Sequence, residues 1–235
     1  MSLRLAVVFE HANDFATATE LADRVLAESV DWLDDDLLSY QRTWIGDIGS
    51  EGLTWAGVKK LARKAGIDAL GHFRGKPGEP DAVAALRAIR YLRFALPELA
   101  AVMLIRDQDN QPLRRVGLEQ ARGEVHDGFP IIVGLAVLMR EAWILSGFDP
   151  EDDDEHARLR ATRQRLGLDP RTRSHDVSDP KRALHELTAG DRARERRCWV
   201  DPSLPTLRER GVENGLAAYL DDVRDRLAGL FGRAA

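Results

Sequence analysis

Residues 99–110 read LAAVMLIRDQDN, and this pattern limits the chain to one class of architecture. Ala100 to Ile105 is an uninterrupted apolar run, too short for a buried helix and typical of a strand covered on both faces. It stops abruptly at Arg106, Asp107, Gln108 and Asp109. Working outward, QPLRRVGLEQARGEVHDG (111–128) carries a helical pattern closed by Gly128, and PIIVGLAV (130–137) is a second buried strand. On the other side, DAVAALRAIRYLRFAL is an amphipathic helix with Pro80 just before it and Pro97 just after it, as helix boundaries favour.

The N-terminal end repeats the same unit. Leu5–Phe9 (LAVVF) reads as a buried strand that ends at Glu10, and Phe15, Ala18, Leu21, Ala22, Val25 and Leu26 then recur at helical spacing. Asn13 or Asp14 is the expected N-cap of that helix. Strand and helix alternate, which implies an α/β fold with a mostly parallel sheet and helices on both faces. Residues 30–68 fit this scheme least; they are read as an irregular insertion holding one helix, TWAGVKKLARKAG. Residues 67–73 (IDALGHF) are a further candidate strand, followed by the turn-rich RGKPGEP. After Pro150 the chain becomes charged and helical, with no strand-like run beyond about residue 140. The expected division is an α/β core at 1–148 and a helical cap of two or three helices at 149–235.

Bulk properties narrow the class. The chain has 235 residues, 44% of them hydrophobic, enough for a sizeable core. No window approaches the roughly 18 uninterrupted apolar residues of a membrane span, and the N-terminal apolar run is too short for a secretion signal. A single cysteine, Cys198, excludes an internal disulfide and any cysteine-based zinc cluster. A cytoplasmic location is the expectation. The net charge of −5 argues against nucleic-acid binding by overall field, so any such contact must be local, bridged by metal ions or supplied by a partner.

Ligands of open α/β sheets bind outside the carboxyl ends of the strands. Glu10 follows the first strand, and Asp107 and Asp109 follow the central one. If the backbone stays extended, residues two apart face the same side, so both aspartates would address one site. Carboxylates at rigid strand ends suit Mg²⁺, which takes a few of them and keeps its waters for phosphate oxygens. Such acids also serve as turn formers and helix caps, and Asp109 could cap the helix near Pro112.

LAVVFEHAND and AVMLIRDQDN, in this order in a βα-alternating chain, resemble the Toprim domain of topoisomerases, primases and OLD-type nucleases. MREAWILSGF, with Glu141-x-Trp143, is similar to the glutamate–x–tryptophan motif of RloB-like proteins, and SDPKRALHELT, with Lys181, looks like a lysine-bearing segment of that group. The resemblance covers residues 3–145. It departs from the family where His11, Ala12 and Asn13 replace a glycine close after the glutamate, and in the length of residues 30–68. It implies a Toprim-like Rossmannoid core and a Mg²⁺-dependent nuclease, with Mn²⁺ as a substitute. Glu10, Asp107 and Asp109 would then be catalytic, and the same three with Glu141 would hold metal. It further implies nucleic acid as substrate, a role in bacterial anti-phage defence, and an ABC-type ATPase as partner. The alternative is a catalytically inactive Toprim-like module that regulates such an ATPase.

Other features rank lower. Arg74 and Lys76 in RGKPGEP, and Lys181 with Arg182, are candidate contacts to a nucleic-acid backbone, although exposed turns and helix faces explain them as well. The GxxxxGK[ST] order of a phosphate loop is absent. ERRCW, with Arg194, Arg196 and Arg197, is the densest basic patch, and Trp143 is expected in the core. The six histidines show no metal-ligand spacing. A HAD-like phosphatase would carry its D-x-D on the first strand, followed by Thr or Val, whereas Asn110 and Gln111 follow here. Topoisomerase action would need a tyrosine nucleophile on a separate domain. Tyr91 and Tyr219 lie within amphipathic helices, where a structural role is expected.

Overall fold

The computed structural model describes residues 2–232. In chain order the elements are β1 (Leu3–Val8), α1 (Ala12–Ser29), α2 (Asp35–Gln41), β2 (Arg42–Ile45), β3 (Asp47–Ile48), β4 (Glu51–Gly52) and α3 (Trp55–Lys64). There follow β5 (His72–Phe73), β6 (Lys76–Pro77), α4 (Ala82–Ala95), β7 (Leu99–Asp107), α5 (Arg114–Gly123) and β8 (Ile131–Ala136). The chain closes with α6 (Arg140–Ser146), α7 (Asp153–Leu166), α8 (Pro180–Thr188), α9 (Arg192–Val200), α10 (Leu204–Arg210) and α11 (Leu216–Phe231).

The central sheet has four strands in the order β2-β1-β7-β8, and every pairing is parallel. From β1 the chain steps outward to β2, then crosses back over β1 to reach β7 and continues to β8. The direction therefore reverses between β1 and β7, and in sheets of this kind that reversal opens a crevice at the carboxyl ends of the two strands. Right-handed crossovers place α1 on one face and the elements linking β2 to β7 and β7 to β8 on the other. The packing agrees: α4 lies against α3 and α5, whereas α11 lies against α1 and β8. The α/β architecture with a parallel sheet, flanking helices and a helical C-terminal region is as the sequence implied.

The core strands form where both faces are covered. Leu5 to Val8 and Ala101 to Leu104 are almost fully buried, as are all six residues of β8. Gly134 in β8 allows the close approach, because a Cβ there would stand 2.6 Å from Ile105 Cδ1 and 2.9 Å from the Tyr219 ring. Tyr219 is fully buried, stacks on Trp143 with centroids 5.0 Å apart, and donates its hydroxyl to the Ala18 carbonyl at 2.7 Å. Both aromatic residues are structural, as expected. Residues from α7 to α11, including Leu159, Leu187, Leu207, Leu220 and Phe231, belong to the same hydrophobic cluster as the sheet.

Several local expectations are corrected. The supposed insertion at 30–68 contains β2, an edge strand of the central sheet, and a two-stranded hairpin of β3 and β4. RTWI lacks an apolar run because an edge strand is only half covered. Conversely, most of 67–73 is not strand; only His72–Phe73 pairs, in a small hairpin with Lys76–Pro77. The helix expected over 111–128 stops at Gly123, and the C-terminal region has five α-helices rather than two or three. Helix α1 is capped by His11; Asp14 stands at its third position and accepts the His11 backbone N–H at 2.7 Å, closing a capping box. Asp34 and Asp152 do cap α2 and α7.

Candidate active site

The crevice between β1 and β7 gathers the strand-end acids. Glu10 leaves β1 beside Phe9, whose backbone exchanges hydrogen bonds with Leu53 and Trp55 and so ties the start of α3 to this corner. Trp55 in turn donates its indole N–H to the Ile105 carbonyl at 2.8 Å. Asp107 is the last residue of β7.

Alternation along β7 divides the site into two halves. On the α1 side, Asp107 meets Asp14 and Glu141. Its Oδ1 accepts the Arg140 backbone N–H at 2.8 Å, and the Arg140 side chain lies among the acids. The guanidinium stands 3.6 Å from Asp14, 3.3 Å from Glu141 and 3.0 Å from Glu195. Burial, then the charges of Asp14, Glu10 and Glu141, push the Asp107 carboxyl up to about 7, against the Arg140 N–H bond. Burial likewise raises Glu10, with Arg106 opposing, and raises Asp14, with the His11 N–H bond opposing. Desolvation and like charge are the two causes that leave a carboxylate short of a cation.

On the α4–α5 side the acids are already paired. Arg106 contacts Glu10 at 2.9 Å and Asp81 at 3.1 Å, with its guanidinium 5.0 Å from the centre of the Trp55 ring. Arg114 contacts Asp81 at 2.6 Å and Asp109 at 2.8 Å, and also donates to the Asp107 carbonyl.

The shared orientation expected of Asp107 and Asp109 is therefore corrected. Asp109 adopts a left-handed backbone, φ 49°, which ends the extended run and turns its carboxylate away to Arg114, with the side chain 55% exposed. Nor does it cap α5, whose N-cap is Leu113. Asp14 is the residue that sequence reasoning missed as a site member. It stands four residues after Glu10, one helical turn into α1, so the strand–turn–helix pattern itself could have suggested it.

The donor chemistry fits a hard divalent cation: carboxylate oxygens of Asp107, Asp14, Glu141 and Glu10 at one crevice, with Asp107 held in part protonated at neutral pH. Among the described residues, no group of three or more His, Cys, Asp or Glu side chains is arranged to hold a metal ion as they stand. Mg²⁺ commonly takes only one or two carboxylates and retains water, so a preformed cage is not required.

The remaining candidates lie outside this crevice. Arg74 and Lys76 are exposed and line a surface cavity of about 470 Å³ with Phe73, Val116 and Gln120. Lys181 and Arg182 are exposed on α8, and Arg182 is ion-paired to Glu186 at 2.8 Å. The basic patch of ERRCW is internally neutralised: Arg194 is buried on Glu155 at 2.6 Å, Arg196 pairs with Glu20 and Arg197 with Glu151. No described helix is long and apolar enough to cross a membrane. No family model matches this chain, and neither a curated protein nor a solved structure gives a match.

Proposed function

We propose that the chain is a Mg²⁺-dependent, Toprim-like phosphodiesterase acting on nucleic acid in the cytoplasm. One observation carries the reading: Asp107, Glu10, Asp14 and Glu141 converge where the strand order reverses, and Asp107 is raised to about 7 by burial and by its acidic neighbours. In this reading Asp107, with Asp14 and Glu141, holds the cation. Glu10, whose own carboxyl is raised, supplies the proton to the leaving oxygen. Arg140 fixes the rotamer of Asp107 through its backbone N–H and offsets the charge of the cluster. A bound cation would supply neutralisation of the phosphate and a more acidic water. A role in phage defence beside an ABC-type ATPase is part of the family reading and has no independent support from the site.

A second reading is favoured by one feature. Glu10 and Asp109 are each ion-paired to an arginine, the condition of an acidic centre that has lost its metal and serves as an inactive, partner-binding module. Calorimetric titration with Mg²⁺ and Mn²⁺, of the wild type and of Asp107→Asn, separates the two. Binding in the wild type that the variant loses, together with Mn²⁺-dependent cleavage of DNA or RNA, supports the phosphodiesterase. Absence of binding, with nucleic acid present as well as absent, leaves the inactive module.

A further inference from the structure

Five side chains on the α4–α5 side form one alternating chain: Glu10, Arg106, Asp81, Arg114, Asp109. Three carboxylates against two guanidiniums leave one net negative charge. Asp81 is its centre, and its placement is costly. It occupies the N-cap position of α4 with φ 67°, a left-handed conformation that L residues seldom adopt, yet its carboxylate makes no hydrogen bond to that helix. At this position an aspartate ordinarily caps; here the side chain is turned instead to the two arginines. Gly117 of α5 permits the approach, because a Cβ there would lie 1.9 Å from the Pro80 carbonyl oxygen. Arg114 adds a second observation. Its side chain is 9% exposed, and although Nε stands 2.6 Å from Asp81, the N–H is not aligned with it, so this buried donor has no hydrogen-bond partner. Arg106 is laid over the face of Trp55, which leaves its guanidinium the plane of the ring to move across.

We infer that Arg106 and Arg114, held in register by Asp81, form a phosphate-binding pair for this site and rest on Glu10 and Asp109 until a divalent cation takes over those carboxylates. The inference rests on the phosphodiesterase reading and adds to it the groups that receive the substrate's phosphate. Guanidiniums are suited to the task because their planar fork matches phosphate oxygens. Arg106 is thus a counter-ion that competes with the cation at Glu10 and, once released, a ligand to the phosphate. The net negative charge of the empty chain repels phosphate, so phosphate binding requires the cation first.

The test is calorimetry on full-length protein with two probes: Mn²⁺ alone, and inorganic phosphate at saturating Mg²⁺. Arg106→Gln is expected to bind Mn²⁺ about fivefold more tightly than wild type, and phosphate about tenfold more weakly, the scale of one partly buried ion pair or charged hydrogen bond. Arg106→Lys keeps the charge and should return Mn²⁺ affinity to the wild-type value. Asp81→Asn tolerates the left-handed backbone and removes the central negative charge; the arginines then grip Glu10 and Asp109 harder, and Mn²⁺ affinity falls about threefold. Opposite signs for Arg106→Gln and Asp81→Asn are what a purely structural role cannot produce. If Arg106→Gln does not fold, the Asp81→Asn comparison decides alone. Wild-type Mn²⁺ binding with unchanged affinities in the variants overturns this inference and leaves the phosphodiesterase reading standing. Failure of the wild type to bind Mn²⁺ overturns both.

Discussion

The backbone N–H of Arg140 donates to Oδ1 of Asp107 at 2.8 Å, so the residue that opens α6 holds the acid that closes β7. One residue thereby supplies both a hydrogen bond to the buried carboxylate and, through its side chain, a positive charge among the neighbouring acids.

That pairing does not restore Asp107 to an ordinary carboxyl, and the pH dependence of stability follows. Its folded value of about 7 lies above the model value of 3.8, so the folded state binds more protons than the unfolded state between these limits. Stability must then fall as pH rises from about 4 to about 7, and the raised Glu10 and Asp14 act in the same direction. Thermal denaturation of Asp107→Asn should show a shallower decline across this window and a higher Tm than wild type at pH 8. An equal slope in the two proteins would refute the assignment.

Asp14 closes the capping box of α1 and also faces the site. Asp14→Asn keeps an acceptor for the His11 N–H and removes the charge, so it should retain the cap while weakening Mn²⁺ binding. Asp14→Ala should lose both, with a stability cost of about 1 kcal/mol for the cap. Urea denaturation and calorimetry on the two variants separate the roles.

Arg194 and Glu155 are both nearly sealed from solvent and lie 2.6 Å apart. Truncating one partner strands the other, so Arg194→Met should cost about 3–5 kcal/mol. Combining it with Glu155→Gln should recover part of that loss. Additive destabilisation in the double variant would show that the two do not act as a pair.

Gly117→Ala would drive a methyl group into the Pro80 carbonyl. The backbone must shift, at a cost of about 1–3 kcal/mol, and the shift moves Asp81 from Arg114. A variant as stable as wild type in urea would mean that the Pro80–Asp81 turn relaxes freely.

The Cys198 thiol is fully buried, and burial pushes its pKa up to about 12. It should resist a thiol reagent at pH 8 in the native protein and react completely in urea, with a midpoint that follows unfolding. Rapid native labelling would show that the packing of α9 opens locally.

Periodicity and apolar runs determined much of this protein from sequence alone. β1, β7 and β8 were legible because strands covered on both faces must be continuously apolar, and α1 and α4 because one buried face imposes helical spacing. The positions of Glu10 and Asp107 followed, since polar residues resume where coverage ends. β2 was not legible: an edge strand needs only partial cover, so RTWI carries no signature, and its membership depends on pairing with β1 some forty residues away. Only the tertiary structure decided how the acids divide. A left-handed residue at Asp109 undoes the two-residue alternation, and Asp81, Arg106 and Arg114 meet because α4 and α5 pack at Gly117. Asp14 and Arg140 join Asp107 for the same kind of reason. Their approach is set by the docking of α1 and α6 on the sheet, a long-range packing result that no local pattern encodes.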